Sequence, residues 1–111
     1  ATKNFIQLCL EGYYNNRPFH RIINEFMIQS GGDELPVYDK YFSDEFHSRI
    51  KFKTKGMVAC VNQDKPHTNT SQFFITVIPA PWLDNKNTIF GKIVGDTYYN
   101  AKNISELEAS E

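Results

Sequence analysis

Residues 19–29 read FHRIINEFMIQ, a sequence that predicts two short β-strands joined by a turn. Side chains alternate between the two faces of a strand, so Arg21 shares a face with Ile23, and Met27 shares a face with Gln29. A guanidinium, a thioether and an amide can therefore project from apolar strands toward one small site. Taken alone, the stretch is equally compatible with an arginine at a sheet edge whose charge lies in water.

Composition limits the classes of function. The 111 residues, 41% hydrophobic and 14% aromatic, suffice for one domain with one core. The net charge of −1 argues against nucleic acid or an anionic membrane as the main partner. No apolar run approaches the roughly 18 residues of a membrane-spanning helix. Cys9 and Cys60 form no metal-binding set with the histidines, and we expect buried free thiols in a reducing compartment, cytoplasmic or nuclear.

Local patterns predict a mostly-β domain with a helix near each end. The first helix is predicted over 2–11, with Thr2 as its N-cap and Gly12 just beyond its end. Residues 33–44 predict a long surface loop. A half-buried strand, or the approach to one, is predicted over 49–53. Further strands are predicted over 56–61, 72–77 and 88–94, and a second helix over 97–107. Trp82 and Leu83, predicted to lie in a loop beside an aromatic strand, indicate a pocket wall.

A series of short motifs runs along the whole chain in one order and spacing. They are Lys3-Asn4-Phe5, Tyr13-Tyr14, Phe19-His20-Arg21, Phe26-Met27-x-Gln29, Gly31-Gly32-Asp33, Asp44-Glu45-Phe46, Ser71-Gln72-Phe73-Phe74, Trp82-Leu83-Asp84 and Phe90-Gly91-Lys92. With these motifs the chain closely resembles the cyclophilin family of peptidyl-prolyl isomerases. The sequences of residues 4–12, 44–49 and 95–97 are most similar to the spliceosome-associated branch of that family.

The resemblance implies an eight-stranded antiparallel barrel closed by two helices, with the active site on its outside. The family's two opening strands have no counterpart before Ala1, and its closing strand has none after Glu111. A glycine-rich loop that usually follows the region of Gln29 is also missing. We therefore expect residues 1–111 to form a single cyclophilin-like domain that is incomplete at both ends.

The resemblance also implies roles for individual residues. Arg21 is the expected catalytic guanidinium, Phe26 and Gln29 complete the catalytic set, and Gln29 and Gln72 are expected to orient either Arg21 or the substrate carbonyl. The slot for the proline ring is expected to contain four apolar side chains: Phe26, Met27, Phe74 and Leu83. Of the adjacent Phe73 and Phe74, only one faces the slot, and the resemblance assigns Phe74. Met27 has a plain core position as its alternative.

Two further positions are expected to contact the peptide, and two others depart from the family pattern. The Asn62 backbone is expected to hold the substrate, and Trp82 is expected at the rim, where the family binds cyclosporin-type cyclic peptides. Asn87 replaces a histidine that many active members carry. Gln63 replaces a small residue, in a loop that is one residue longer than usual at Asp64. We expect activity to survive these changes, with altered specificity.

The implied function is cis–trans isomerisation of X–Pro bonds in proteins, without a covalent intermediate, a metal or a cofactor. The expected partners are proline-containing peptides and proteins, and spliceosomal proteins follow from the branch resemblance. Neither nucleic acid nor a membrane is expected as a direct partner. The alternative is a cyclophilin-like module with little or no turnover that binds proline segments in an RNA-processing assembly.

Overall fold

The computed structural model describes residues 1–32 and 43–107. Most of the surface loop that the sequence predicts over 33–44 lies outside these residues. In chain order the elements are α1 (Thr2–Leu10), β1 (Arg21–Ile23), β2 (Met27–Ser30), β3 (Met57–Cys60), β4 (Phe73–Thr76), a 3₁₀ helix (Pro81–Leu83), β5 (Ile89–Lys92) and α2 (Thr97–Ser105). Each predicted helix is therefore present, as are the five strands predicted over 19–29, 56–61, 72–77 and 88–94, so the mostly-β prediction is confirmed.

Helix α1 begins at Thr2, as predicted, and ends one residue before the predicted end. Ala1 occupies the N-cap position, so the prediction of Thr2 as the cap is wrong. Gly12 has a φ of +73°, the left-handed conformation expected past the helix end. The buried residues of α1 are Asn4 and Leu8, one turn apart, so the helix turns this pair toward the domain.

The five strands form one antiparallel sheet in the order β1-β2-β4-β3-β5. Within residues 1–32 and 43–107 the structure contains five strands, against the eight that the family resemblance implies. Strands β1 and β5 are the two edges of the sheet in the part of the chain that the structure describes.

Of the two alternatives predicted for residues 49–53, the half-buried strand is wrong, because only an isolated bridge between His47 and Ile50 forms there. The backbone of Phe52 finds other partners. Its N–H donates to Asp84 Oδ1 at 2.7 Å, and its carbonyl oxygen accepts from the N–H of Ala80 at 3.0 Å. A side chain and a loop thus satisfy the groups that a neighbouring strand would otherwise pair.

The two faces of the sheet carry separate cores. On one face Ile28 packs with Val77 and with Ala101 of α2, and Tyr98 anchors that helix by donating its hydroxyl to the Val77 carbonyl at 2.9 Å. On the opposite face the buried cluster consists of Met27, Phe52, Met57, Ala59, Phe74 and Ala80. Because neighbouring residues of β2 point in opposite directions, this short strand contributes to both cores.

Candidate active site

The hairpin of β1 and β2 brings the predicted polar residues into one row. Arg21 pairs with Gln29 across the hairpin, and Gln29 pairs with Phe74 on the next strand. Directly paired residues in an antiparallel sheet point to the same face, so these three side chains are neighbours. At the hairpin turn Glu25 has a φ of +60°, and the Phe26 N–H donates to the Ile23 carbonyl at 3.1 Å. The turn therefore places Phe26 beside the row.

A cavity of about 240 Å³ opens at the end of this row. Eight of the eleven site residues predicted from the sequence line it: Arg21, Phe26, Met27, Gln29, Asn62, Phe74, Leu83 and Asn87. Gln63, Gln72 and Trp82 do not line it. The guanidinium and the four apolar side chains of the expected proline slot thus surround a single space, as the resemblance implies.

Arg21 supplies an uncommitted positive charge to the cavity. The side chain lies at an exposed position on the edge strand β1. It makes no hydrogen bond or ion pair with any residue in 1–32 or 43–107. A guanidinium carries five N–H donors and stays protonated in proteins, so Arg21 offers a permanent charge and unused donors to a bound molecule.

Gln72 does not line the cavity, but its side chain is hydrogen-bonded to Gln29, which does. The side-chain amide of Gln29, which is buried, donates to Gln72 Oε1 at 2.8 Å, and Gln72 in turn donates to the Gly32 carbonyl at 3.2 Å. The close approach depends on Gly31, whose φ is +114° and where a Cβ atom would lie 2.7 Å from the Gln72 Cα. The chain of amides fixes the direction in which Gln29 faces the cavity.

Aromatic and thioether groups form the apolar wall. Phe74 is 6% exposed and stacks on the fully buried Phe52, with ring centroids 6.1 Å apart and an interplanar angle of 8°. Met27 is buried in the same cluster and also lines the cavity, so it is both a core residue and part of the cavity wall. Trp82 is 52% exposed and lies 5.7 Å from the Phe26 ring, which places it beside the cavity at the surface. Trp82 thus contacts a cavity residue without lining the cavity itself.

The segment carrying Trp82 and Leu83 is a turn of 3₁₀ helix rather than the predicted loop. Pro81 occupies its first turn, where a missing N–H costs nothing. Asp84 follows it and accepts from the backbone N–H of Phe52. Lys51 Nζ adds a bond to Asn85 Oδ1 at 2.9 Å. The wall that carries Leu83 is thereby tied to the core.

The two asparagines of the cavity use their amides to join loops. Asn87 Nδ2 donates to the Cys60 carbonyl at 3.1 Å, and Asn62 Nδ2 donates to the Lys86 carbonyl at 2.9 Å. Gln63 is exposed outside the cavity, and its N–H donates to Thr68 Oγ1 at 2.9 Å. The asparagine that replaces the usual histidine thus has a structural partner at the cavity wall.

The sequence analysis missed two lining residues, Val61 and Asp64. Val61 continues β3 directly into the loop, a position that its apolar run already indicated. Asp64 lies in the loop after β3 and has a φ of +59°. No pattern in the sequence indicated the left-handed conformation of this residue.

The two thiols differ in environment. Cys60 is buried, and burial raises the pKa of its thiol to about 12. Cys9 is exposed on α1, so the prediction that both thiols are buried is wrong for this residue. Both cysteines are free, as predicted. Burial also raises the pKa of Tyr14, whose hydroxyl donates to the Ser71 carbonyl at 2.6 Å.

On this antiparallel sheet Arg21, Gln29 and Phe74 are neighbours and line one cavity. All of residues 1–111 match the family model described as "Cyclophilin type peptidyl-prolyl cis-trans isomerase/CLD". The chain therefore belongs to the cyclophilin-type peptidyl-prolyl isomerase family. None of the helices in the described ranges, 1–32 and 43–107, combines the length and the apolar character needed to cross a membrane.

Comparison with individual proteins indicates which branch of the family the chain resembles. The chain is 51% identical to "Spliceosome-associated protein CWC27 homolog" of Xenopus laevis, over all of this chain and 24% of that protein. It is 45% identical to "Peptidyl-prolyl cis-trans isomerase CYP57" of Arabidopsis thaliana, over all of this chain and 23% of that protein. The chain thus spans about a quarter of the length of the curated relatives it matches.

A solved structure supports the fold. A cyclophilin-type peptidyl-prolyl cis-trans isomerase of Cryptosporidium parvum, crystallised in the presence of the dipeptide Ala-Pro, superposes with a TM-score of 0.84 at 36% sequence identity. The match covers 96% of this chain and 73% of that one. The five strands and two helices described above are therefore a cyclophilin fold.

Proposed function

We propose that this chain catalyses cis–trans isomerisation of X–Pro bonds through the cavity around Arg21. The observation that carries the proposal is that one space of about 240 Å³ is lined both by the Arg21 guanidinium, which has no partner among residues 1–32 and 43–107, and by four apolar side chains: Phe26, Met27, Phe74 and Leu83. Such a space accommodates a proline ring and leaves the charge beside the amide that precedes it. Residues 1–111 act in this proposal as a single cyclophilin-like domain.

The chemistry requires only the twisting of a bond. Amide resonance holds the X–Pro bond planar with a barrier of about 18–20 kcal/mol. Rotation breaks the conjugation and leaves a basic lone pair on the prolyl nitrogen. A donor that reaches this lone pair only in the twisted state stabilises the transition state selectively. Arg21 acts as that donor, while the apolar wall holds the ring and the residues before the proline rotate.

The remaining side chains position the substrate. Gln29, held by Gln72, orients the substrate carbonyl or the guanidinium. Asn62 contacts the peptide through its backbone, and Asn87 supplies a flat polar surface where many relatives place histidine. Gln63, whose side chain is exposed next to Asn62, influences which residues are accepted before the proline.

Replacement of Arg21 tests this proposal. Removing one electrostatic donor from an active site costs on the order of 10²–10³ in rate. We expect a loss of that order in kcat/KM for Arg21→Ala, and a smaller loss for Arg21→Lys, which keeps the charge without the planar fork. Arg49→Ala is the matched control, because Arg49 is exposed and lines no part of the cavity. Equal turnover by Arg21→Ala and the wild type overturns the assignment.

Cyclosporin-type cyclic peptides are a second ligand class in the proposal. Trp82 lies at the rim with half of its surface free, next to Phe26. It is the single tryptophan of the sequence, so its fluorescence reports on this rim without interference. We expect cyclosporin to change the emission of Trp82 and to compete with an X–Pro peptide. An unchanged emission together with unaffected turnover excludes this ligand class.

Association with the spliceosome, and hence a nuclear location, is part of the proposal. It is supported by relatives that bear the name "Spliceosome-associated protein CWC27 homolog" and match this chain over its whole length. The alternative function, a binding module with little turnover, is favoured by the Asn87 amide, which is engaged with the Cys60 carbonyl. A coupled isomerisation assay with parallel peptide-binding measurements separates the two, since binding without turnover identifies the module.

A further inference from the structure

A second cavity of about 540 Å³ adjoins the first. The two cavities share four lining residues: Asn62, Asp64, Leu83 and Asn87. These four residues form a wall common to both spaces, so the second cavity lies next to the first. A side chain that flanks a proline bound in the first cavity can reach this wall.

The wall of the second cavity is a loop with many internal bonds. The Asp44 carboxylate accepts from the His67 backbone N–H at 3.1 Å and from Asn69 Nδ2 at 2.9 Å. Thr68 Oγ1 donates to the Lys65 carbonyl at 2.8 Å. These bonds hold the loop in one shape without a ligand. They also engage both carboxylate oxygens of Asp44.

Asp64 is the charged residue that both cavities share. Its backbone N–H donates to Asn62 Oδ1 at 3.0 Å, and its left-handed φ of +59° fixes the local chain direction. The side chain is exposed, and no cation of residues 1–32 or 43–107 lies within ion-pair distance of its carboxylate. A short side chain on such a backbone keeps its negative charge close to the common wall.

Two positively charged side chains also line the second cavity, but they are held less firmly than Asp64. Lys65 and Lys86 line the second cavity only, and both are exposed. An ammonium on a flexible four-carbon stem loses about 2 kcal/mol of rotamer entropy when it is fixed. Arg21 lines the first cavity only and is assigned to the reacting amide. Among the described residues, Asp64 is the charged residue that lines both cavities, and its short side chain costs less entropy to fix than a lysine.

We propose that Asp64 selects substrates with a lysine or arginine within two residues of the proline. The inference rests on the proposed isomerase function of the adjoining cavity and specifies its substrate class. The expected preference for a basic over a neutral flanking residue is about two- to fivefold in kcat/KM, the range that an exposed ion pair supplies. The preference falls as salt screens the pair.

The test compares X–Pro peptides that carry lysine, glutamine or glutamate at each position within two residues of the proline. Turnover is measured for each peptide, and Kd is measured in parallel from the fluorescence of Trp82. In Asp64→Asn the two- to fivefold lysine-over-glutamine ratio is expected to fall to about one. Asparagine suits this variant because it tolerates the left-handed backbone. Asp96→Asn is the control, since Asp96 is exposed at the start of α2 and its side chain makes no capping bond.

Several results overturn the inference. A wild-type preference for glutamate shows that Lys65 and Lys86 dominate the second cavity instead. A lysine preference that survives in Asp64→Asn removes Asp64 from the explanation. A wild-type preference that stays constant between low salt and about 1 M salt, where the screening length is roughly 3 Å, excludes an ionic origin without any variant. Absence of turnover for every peptide refutes the isomerase function, and the ratio of Kd values then still decides the role of Asp64.

Discussion

Replacing Asp84 by alanine tests how the wall carrying Leu83 is held. Asp84 Oδ1 accepts the backbone N–H of Phe52 at 2.7 Å, and Phe52 is fully buried. In Asp84→Ala that N–H loses its acceptor in an interior that water does not reach. An unsatisfied buried donor costs about 1–3 kcal/mol. For a domain of this size the melting temperature is expected to fall by roughly 4–12 °C.

Asp84→Ala is also expected to alter the proposed active site. Phe52 stacks on Phe74, and the segment after Ala80 is anchored to the Phe52 carbonyl. Loosening Asp84 therefore lets Leu83 move away from the apolar wall. Because that wall binds the proline ring equally in the planar and twisted states, we expect KM to rise more than kcat falls.

Thermal denaturation and isomerase kinetics measure the two effects. Asp84→Asn keeps an acceptor oxygen without its charge, so it is expected to recover at least half of the lost stability. Asp96→Ala removes an exposed aspartate at the α2 N-cap position, where its side chain makes no capping bond. The reasoning is refuted if Asp84→Ala and Asp96→Ala melt at the same temperature and share one KM.

Three further predictions follow from the geometry. Gly31→Ala places a Cβ atom 2.7 Å from the Gln72 Cα, so it is expected to lower both the melting temperature and kcat/KM. A thiol reagent at neutral pH is expected to modify Cys9 rapidly and Cys60 only after unfolding, as mass spectrometry with and without urea will show. The folded pKa of Cys60, raised from 9.0 to about 12, lets the unfolded thiol ionise first as pH rises. The free energy of unfolding is therefore expected to fall between pH 9 and 12, and urea titrations across this range measure the decrease.

The hairpin that positions the site was predictable because its physics is local. Alternation along two short runs placed Arg21 with Ile23 and Met27 with Gln29, and the register places Arg21 beside Gln29. Local patterns could not predict that Arg21, Phe74 and Leu83 line one cavity, because these residues are far apart in the chain. Only the motif resemblance predicted it.

The predictions that were wrong depended on partners distant in sequence or on a small rotation. Cys9 was predicted to be buried, yet the helix buries Asn4 and Leu8 and leaves Cys9 exposed. One residue corresponds to about 100° of helix rotation, so a small rotation decides which side chains face the domain. Residues 49–53 were predicted to form a half-buried strand or the approach to one, but the backbone partner of Phe52 is Asp84, which is distant in sequence.

Strand β2 and the two loops beside the cavities differ in how freely their residues can be substituted. All four residues of β2 are buried, and its adjacent residues Met27 and Ile28 belong to the two opposite cores. Asp64 and Lys86 are exposed in the loops beside the cavities. Substitutions at these two loop positions are therefore expected to cost less stability than substitutions in β2, so evolution can vary them while the hairpin is kept. Retargeting this scaffold in the laboratory should begin at the loops for the same reason.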